Sequence, residues 1–128
     1  MIASTAIHWP HASLSEAWNK GIYQQGITEP WTQQVVASLL IAKNARNVLE
    51  LGCFLGLTTT WLALALEWLG GGSLIGVELD PDRAAATEAQ LTSLTIPRVN
   101  WTIINDDSLR VLKRDIQPHT IDFAWVDD

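Results

Sequence analysis

The sequence is short of the residues that would place it in several large classes of protein. It has one cysteine, Cys53, so no disulfide can form within the chain and no cysteine pair can hold zinc. Its 8 Lys and Arg stand against 14 Asp and Glu, and the net charge of −6 disfavours a groove for nucleic-acid phosphates. Its apolar runs are too short to span a bilayer, and its first residues lack the pattern of a signal peptide. We therefore expect a cytoplasmic protein with no nucleic-acid or membrane partner.

The chain does contain enough apolar material for one core. Apolar residues make up 48% of the 128 positions. A chain of this length buries roughly two-thirds of its unfolded surface, which suffices for a single domain. From about residue 30 onward, helix-like and strand-like segments alternate, and this alternation is typical of an α/β fold. We expect one domain, with an N-terminal helical segment over residues 1–45 and an α/β part over residues 46–128.

Local signals predict two helices in the N-terminal segment. The spacing of Ser13 and Glu16 is that of a capping box, which predicts a short helix there. Thr28 as N-cap, with Pro30 in the first turn, predicts a longer helix that ends near Asn44. The apolar stripe of this second helix is predicted to consist of Val35, Val36, Leu39 and Leu40.

Four strands and three more helices are predicted downstream. The strands fall at residues 47–51, 73–78, 99–104 and 121–126, and the helices at residues 58–69, 81–94 and 108–115. Right-handed crossovers make such strands parallel, with helices on both faces of the sheet in a three-layer, doubly wound arrangement. Ligands of these sheets bind at the carboxyl ends of the strands, where the strand order reverses.

Acidic side chains stand at the predicted carboxyl ends of these strands. The first loop, from Glu50 to Gly56, carries glycines at 52 and 56, so the chain can pass close to a ligand. It lacks the Gly-x-Gly-x-x-Gly spacing of a dinucleotide site, which disfavours a nucleotide-dependent oxidoreductase. Glu78 closes the second strand, where two carboxylate oxygens suit the two hydroxyls of a ribose. Asp107 and Ser108 follow the third strand, in a position to bond an adenine edge.

Each of these positions also has a plain structural interpretation. The glycines could serve only a tight turn, and Glu78 could be a solvated carboxylate near Asp80. Asp107 could be the N-cap of the helix that follows it. Taken singly, each structural interpretation is as good as the functional one. Their order along the chain, one at each strand end, favours a shared ligand crevice.

Four ordered motifs give the chain a resemblance to a known family. They are VLELGCFLGLTT at 48–59, GVELDP at 76–81, DSLRVL at 107–112 and IDFAWVD at 121–127. Together they resemble the class I S-adenosylmethionine-dependent methyltransferases, within them the O-methyltransferases of the caffeoyl-CoA and catechol type. The resemblance covers about residues 28–128. It implies a Rossmann-like sheet, S-adenosylmethionine as cofactor, and an enzyme that methylates a small-molecule hydroxyl.

The resemblance also implies roles for the matching residues. Glu78 would hold the ribose of the cofactor. Asp127 matches an aspartate that faces the methyl acceptor and, in metal-dependent members, ligates a divalent cation such as Mg²⁺ or Ca²⁺. It is therefore the implied catalytic residue and metal ligand, although Asp128 beside it favours a metal-independent branch as the alternative. The residues implied to bind the cofactor are Thr28, Glu50, Gly52, Cys53, Gly56, Thr58, Glu78, Asp107 and Ser108.

The family's sheet has seven strands, whereas only four can be read in this sequence. The fourth strand is therefore expected to be an open, apolar edge, which is a pairing hazard. We expect either that the chain is a fragment of a longer protein, truncated after this strand, or that a partner such as a second copy covers the edge. The alternative to an enzyme is a non-catalytic module with the same fold that binds S-adenosylmethionine or a partner.

Overall fold

The structure is a computed structural model that describes residues 29–127. The helix predicted after Ser13 lies outside that part of the chain, as do Thr28 and Asp128. No helix within residues 29–127 is long and apolar enough to cross a membrane. The helices are α1 (Pro30–Lys43), α2 (Leu57–Trp68), α3 (Pro81–Thr92) and α4 (Ser108–Arg114). The strands are β1 (Asn47–Leu51), β2 (Gly72–Glu78), β3 (Val99–Asn105) and β4 (Phe123–Val126).

The four strands form one parallel sheet in the order β3-β2-β1-β4, which confirms the predicted α/β architecture. The first three strands step outward in one direction, and β4 then returns to the other side of β1. The strand order therefore reverses between β1 and β4. In sheets of this kind, ligands bind beside the carboxyl ends of the strands at such a reversal.

Helices cover the two faces of the sheet in three layers. On one face, α1, α2 and α3 pack over the main core, whose largest members include Leu40, Trp61, Leu62, Leu74 and Leu91. On the other face, α4 packs over a smaller cluster of Leu49, Leu51, Val77 and Val111. The alternation of β1 between these clusters follows from the pleat of a strand, which sends successive side chains to opposite faces.

Of the four apolar residues predicted to face the core from α1, two are buried and two are exposed. Val36 and Leu40 are buried, but Val35 and Leu39 are each 57% exposed. Successive residues of a helix lie about 100° apart, so the two pairs form separate rows and only one row faces the core. The helix also begins one residue later than predicted, with Glu29 rather than Thr28 at the N-cap.

The start of β4 also differs from the prediction. The strand begins at Phe123 rather than Ile121, and the carboxylate of Asp122, just before it, accepts hydrogen bonds from the backbone N–H groups of Arg46 and Asn47. This side chain ties the entrance of β4 to the start of β1. Within residues 29–127, β4 pairs with β1 alone, and Val126 is 63% exposed, as expected for an edge strand.

Candidate functional site

Glu50 is a carboxyl group buried at the carboxyl end of β1. It is 1% exposed, although acidic side chains are almost never so buried without a partner. Thr59 Oγ1 donates a 2.5 Å hydrogen bond to Oε2, while Oε1 is buried with no hydrogen-bond partner among residues 29–127. Burial, with smaller contributions from the charges of Asp127 and Glu78, raises the pKa of Glu50 from 4.5 to about 7. The protonated form of this carboxyl group is therefore favoured relative to an exposed glutamate, and one of its oxygens keeps unused capacity to accept a hydrogen bond.

Glu78, at the end of the adjacent strand β2, is oriented by two backbone donors. It is buried, and Oε2 accepts from the Phe54 N–H at 2.8 Å while Oε1 accepts from the Asp80 N–H at 3.1 Å. A carboxylate offers about four acceptor positions, so about two remain open after these bonds. Two oriented acceptor positions side by side match the two hydroxyl groups of a vicinal diol.

The loop between β1 and α2 passes close to both carboxyl groups. Its backbone is left-handed at Gly52, Phe54 and Gly56, with φ of 86°, 54° and 84°. The N–H groups of Gly52 and the next residue both donate to the Val77 carbonyl, which anchors the loop to β2. At Gly56, a Cβ would lie 3.0 Å from the Cα of Thr87, so the glycine also permits the close approach of α3.

Two side chains of α3 hold this loop from outside. Thr87 is fully buried, and its hydroxyl donates to the Phe54 carbonyl at 3.1 Å. The guanidinium of Arg83 lies 4.2 Å from the centroid of the Phe54 ring, a cation–π contact. Neither Thr87 nor Arg83 was predicted from the sequence as a site residue, because each reaches the loop only once α3 has packed against it. The loop is thus held by β2 on one side and by α3 on the other.

Cys53 packs under the loop, in surroundings that disfavour the reactive thiolate form. Its side chain is 3% exposed and occupies the space above Gly76, where an added Cβ would meet Sγ at 2.6 Å. Burial first, and then the nearby charge of Glu50, raise the pKa of the Cys53 thiol. A thiol that stays protonated is inert, which leaves packing and the lining of the loop as its roles.

One of the threonines at the start of α2 makes a hydrogen bond to Glu50 that the sequence did not predict. Thr58, which the resemblance implies as a cofactor-binding residue, is buried. Thr59, its neighbour, makes the hydrogen bond to Glu50. Thr60 is also engaged, since its hydroxyl donates to the Gly56 carbonyl at 2.7 Å. Three consecutive threonines therefore all face inward, and only the helix position distinguishes the one that reaches the carboxyl group.

The residues after β3 have mainly structural contacts. Asp107 is exposed and caps α4, accepting a hydrogen bond from the Arg110 N–H, and Ser108 is the first residue of that helix. Asp106 forms salt bridges of 3.1 Å with Arg110 and Arg114. At the end of β3, the amide of Asn105 donates to the carbonyl groups of residues 78 and 79, which links the ends of β3 and β2. The N-cap interpretation of Asp107 therefore holds, and contact with an adenine stays a prediction.

Asp127 follows β4 at the point where the strand order reverses. Its N–H donates to the Leu51 carbonyl at 2.9 Å, which extends the pairing of β4 with β1 by one residue. The side chain is exposed, and its charge acts on Glu50. Residues 29–127 contain no group of three His, Cys, Asp or Glu side chains placed to hold a metal ion. Asp127 therefore does not form a metal site with the other described residues.

Trp125 was not predicted as a site residue. It lies on β4 as the register partner of Glu50, and its Nε1 atom is buried without a hydrogen-bond partner among residues 29–127. A buried indole N–H normally finds an acceptor. No sequence signal could have identified it, because the observation depends on the pairing register of β1 and β4.

Comparisons with known proteins agree with this geometry. A family model described as a methyltransferase domain matches residues 49–128. No curated protein sequence matches the chain. Among solved structures, the O-methyltransferase TomG from Streptomyces achromogenes, involved in tomaymycin synthesis and in complex with SAM, aligns with a TM-score of 0.71 and 22% identity. That alignment covers 91% of this chain and 52% of TomG.

Two further solved structures show the same fold. An O-methyltransferase from Bacillus cereus in complex with SAH has a TM-score of 0.71 and 20% identity, over 96% of this chain and 57% of that one. SAH-bound methyltransferase PaMTH1 from Podospora anserina has a TM-score of 0.73 and 16% identity, over 91% and 50%. The chain thus spans about half the length of the structures it matches.

Proposed function

The chain belongs to the methyltransferase domain family, and from this premise we propose that it binds S-adenosylmethionine and transfers the methyl group to a small-molecule hydroxyl. One observation carries the proposal. Two buried carboxyl groups, Glu50 and Glu78, close adjacent parallel strands beside the same left-handed loop, and each keeps acceptor capacity that the protein does not use.

The residues present fit this cofactor. The open acceptor positions of Glu78 suit the ribose diol, and the open oxygen of Glu50 suits a cationic group at the methionine end. Gly52, Cys53 and Gly56 line the loop between them, and the cofactor roles proposed for Thr28, Thr58, Asp107 and Ser108 belong to the same hypothesis. The structures of TomG with SAM and of the Bacillus cereus protein with SAH support this choice of ligand.

The chain would contribute position and proton transfer to the reaction. When bound, the cofactor supplies a methyl group on a sulfonium, which is a good leaving group. For the transfer to balance, the acceptor hydroxyl would replace the sulfonium as the methyl group's partner, with loss of the C–S bond, and would give up its proton to a base. Holding the two reactants in line can supply several kcal/mol. Asp127, at the carboxyl end of β4, is our candidate for the base that takes the proton.

We also propose a domain division, a cellular location and a pairing partner for the chain. The division of the chain that we propose sets residues 1–45 apart from a cofactor-binding part over residues 46–128. The protein acts in the cytoplasm, where a lone thiol such as Cys53 stays reduced. A further strand or a second copy pairs with the open edge of β4. In a metal-dependent form of this proposal, a divalent cation such as Mg²⁺ or Ca²⁺ would bind at Asp127 and ease the loss of the acceptor's proton.

Calorimetric titration with S-adenosylhomocysteine tests the proposal. We expect saturable binding by the chain and a loss of about a hundredfold in Glu78→Ala, since each hydrogen bond to a charged group is worth about 1.5 kcal/mol. Glu88→Ala, on the exposed side of α3, is the matched control and should bind like the wild type.

A second ligand separates the ribose contact from the support that Glu78 gives to the loop. The 2′,3′-dideoxy analogue of S-adenosylhomocysteine cannot make the diol contact, so the Glu78→Ala penalty should largely vanish with it. A folded wild-type chain that binds neither ligand contradicts the proposal. Binding without methyl transfer to any acceptor would instead favour the non-catalytic module.

A further inference from the structure

The solvent side of α1 carries large apolar side chains. On the side that faces the main core, Val36 and Leu40 are buried. On the other side, Trp31, Val35 and Leu39 are 59%, 57% and 57% exposed, and no helix or strand of residues 29–127 packs over Val35 or Leu39. Positions four residues apart lie on the same side of a helix, so these three side chains form one row. We refer to Trp31, Val35 and Leu39 as the exposed row.

The exposed row lacks the charges that the solvent side of a surface helix normally carries. Lys43, in the last turn, is the one charged residue of α1. Ser38, exposed beside the row, donates its hydroxyl to the Gln34 carbonyl at 2.7 Å, so this polar group can be covered at little cost. A helix with apolar residues on both sides is typical of one that packs between two elements. The exposed row therefore has the character of an interface.

The sequence just before α1 contains a segment with a matching pattern. Twenty-eight residues precede Glu29, the N-cap of α1. Among them, residues 13–22 begin with the spacing of a capping box and carry apolar side chains at helical intervals: Leu14, Ala17, Trp18 and Ile22. Glu16 and Lys20, the charged residues of this segment, are four apart and fall on the opposite side of the predicted helix. The pattern predicts an amphipathic helix whose apolar side packs against another element.

The apolar side of this segment and the exposed row have the same length. Leu14 to Ile22 and Trp31 to Leu39 each rise by eight residues, or about 12 Å of helix. Residues 23–28 connect the segment to α1, and connections of about 2–8 residues join neighbouring helices in bundles. Such short connections make the two helices antiparallel. An attached segment also has an effective concentration of about millimolar, which favours it over a separate molecule.

We propose that the exposed row of α1 is the docking surface for residues 13–22 of the same chain, which pack on it as an antiparallel helix. In this arrangement Leu14 lies beside Leu39, at one end of the row. Ile22 lies beside Trp31, at the other end. Packing the two apolar surfaces together removes both from water, which stabilises the pair. The inference is independent of the proposed function, because no ligand contributes to it.

Paired cysteines in the full chain test the docking and its direction. The background is clean because the native thiol, Cys53, is 3% exposed. Under mild oxidation we expect most of the Leu14→Cys, Leu39→Cys double variant to form a disulfide within one chain, as mass spectrometry of its tryptic peptides would show. The control pair is Leu14→Cys with Trp31→Cys, whose thiols lie about 12 Å apart in the antiparallel arrangement and should remain reduced. Equal yields from both pairs, no disulfide in a folded first variant, or a disulfide between two chains overturns the inference.

A charge placed in the exposed row gives a second test. If residues 13–22 cover the row, Leu39→Lys puts an ammonium group into an apolar contact and should lower the melting temperature by about 5 °C. Leu109→Lys is the matched control, because this leucine is 65% exposed on another helix, α4, and its replacement should change the melting temperature little. Equal melting temperatures for the two variants overturn the inference. A wild-type dimer that Leu39→Lys dissociates in sedimentation equilibrium also overturns it, since a second copy would then cover the row.

Discussion

Replacing Glu50 with glutamine should stabilise the protein in neutral and alkaline solution. The side chain is 1% exposed, and burial is the main cause of the rise in its pKa from 4.5 to about 7. Glutamine has nearly the same size and carries no charge, so Glu50→Gln resembles the protonated carboxyl group at every pH. The variant therefore removes the cost of an ionised group in the core while keeping an acceptor for Thr59.

The size and the direction of this stability change follow from the pKa of Glu50 in the unfolded chain, 4.5, and in the folded chain, about 7. Below pH 4.5 the group is protonated in both the folded and the unfolded chain, so charge makes no difference between wild type and Glu50→Gln. Between pH 4.5 and about 7 the unfolded chain loses the proton first, and the wild type loses stability as the pH rises. One pKa unit is worth about 1.36 kcal/mol, so the full effect is about 3 kcal/mol above pH 7.

Urea denaturation followed by tryptophan fluorescence measures this effect. The free energy of unfolding of Glu50→Gln, minus that of the wild type, should rise by about 3 kcal/mol from pH 4.5 to pH 8. The exposed carboxylate in Glu88→Gln provides the control, for which the difference should stay near zero. A difference for Glu50→Gln that is independent of pH, or that falls as the pH rises, would refute the reasoning.

Three other substitutions test separate contacts. Thr59→Val removes a hydrogen bond that lowers the pKa of Glu50, so this pKa should rise further, as carboxyl-carbon NMR of labelled glutamate would show, whereas Thr59→Ser should restore it. Gly76→Ala places a Cβ 2.6 Å from Cys53 Sγ and should cost about 1–3 kcal/mol of stability, part of which Cys53→Ala should recover in thermal unfolding of the double variant. Asp122→Asn weakens the bonds to the first N–H groups of β1 and should lower the unfolding free energy by about 1–2 kcal/mol in urea, and an unchanged value would contradict the role assigned to this carboxylate.

Much of the fold could be predicted from local sequence signals. β1 has the predicted bounds, and α3 begins at Pro81 as predicted, with Asp80 as its N-cap, since both depend on a few adjacent residues. Errors arose where a distant contact decides. β4 starts two residues later than predicted, directly after Asp122, whose carboxylate bonds to backbone N–H groups at the start of β1, 75 and 76 residues away in sequence. By contrast, α3 ends at Thr92, two residues before its predicted end, at a local contact in which the Ser93 hydroxyl donates to the Gln90 carbonyl.

The candidate site likewise has features that local sequence predicts and features that depend on distant contacts. The places of Glu50 and Glu78 could be predicted, although not their roles, because each lies at or next to the last residue of a strand whose pattern is visible in the sequence. The contacts that orient them could not, since Thr59 and Phe54 reach the carboxyl groups only after helix and loop have folded. Trp125 depends on the register of two strands that are far apart in sequence. Pairwise geometry of this kind is a property of the assembled sheet.

The central claim is that the cofactor lies at the carboxyl ends of β1, β2 and β4. Amide chemical-shift mapping of the ¹⁵N-labelled chain during titration with S-adenosylhomocysteine tests it most directly. We expect saturable shifts at the amides of Gly52, Phe54, Asp80 and Asp127. The amides of Asn47 and Ser73, at the opposite end of the sheet, should not shift. Shifts confined to the opposite end, or no saturable shift in a folded chain, would contradict it.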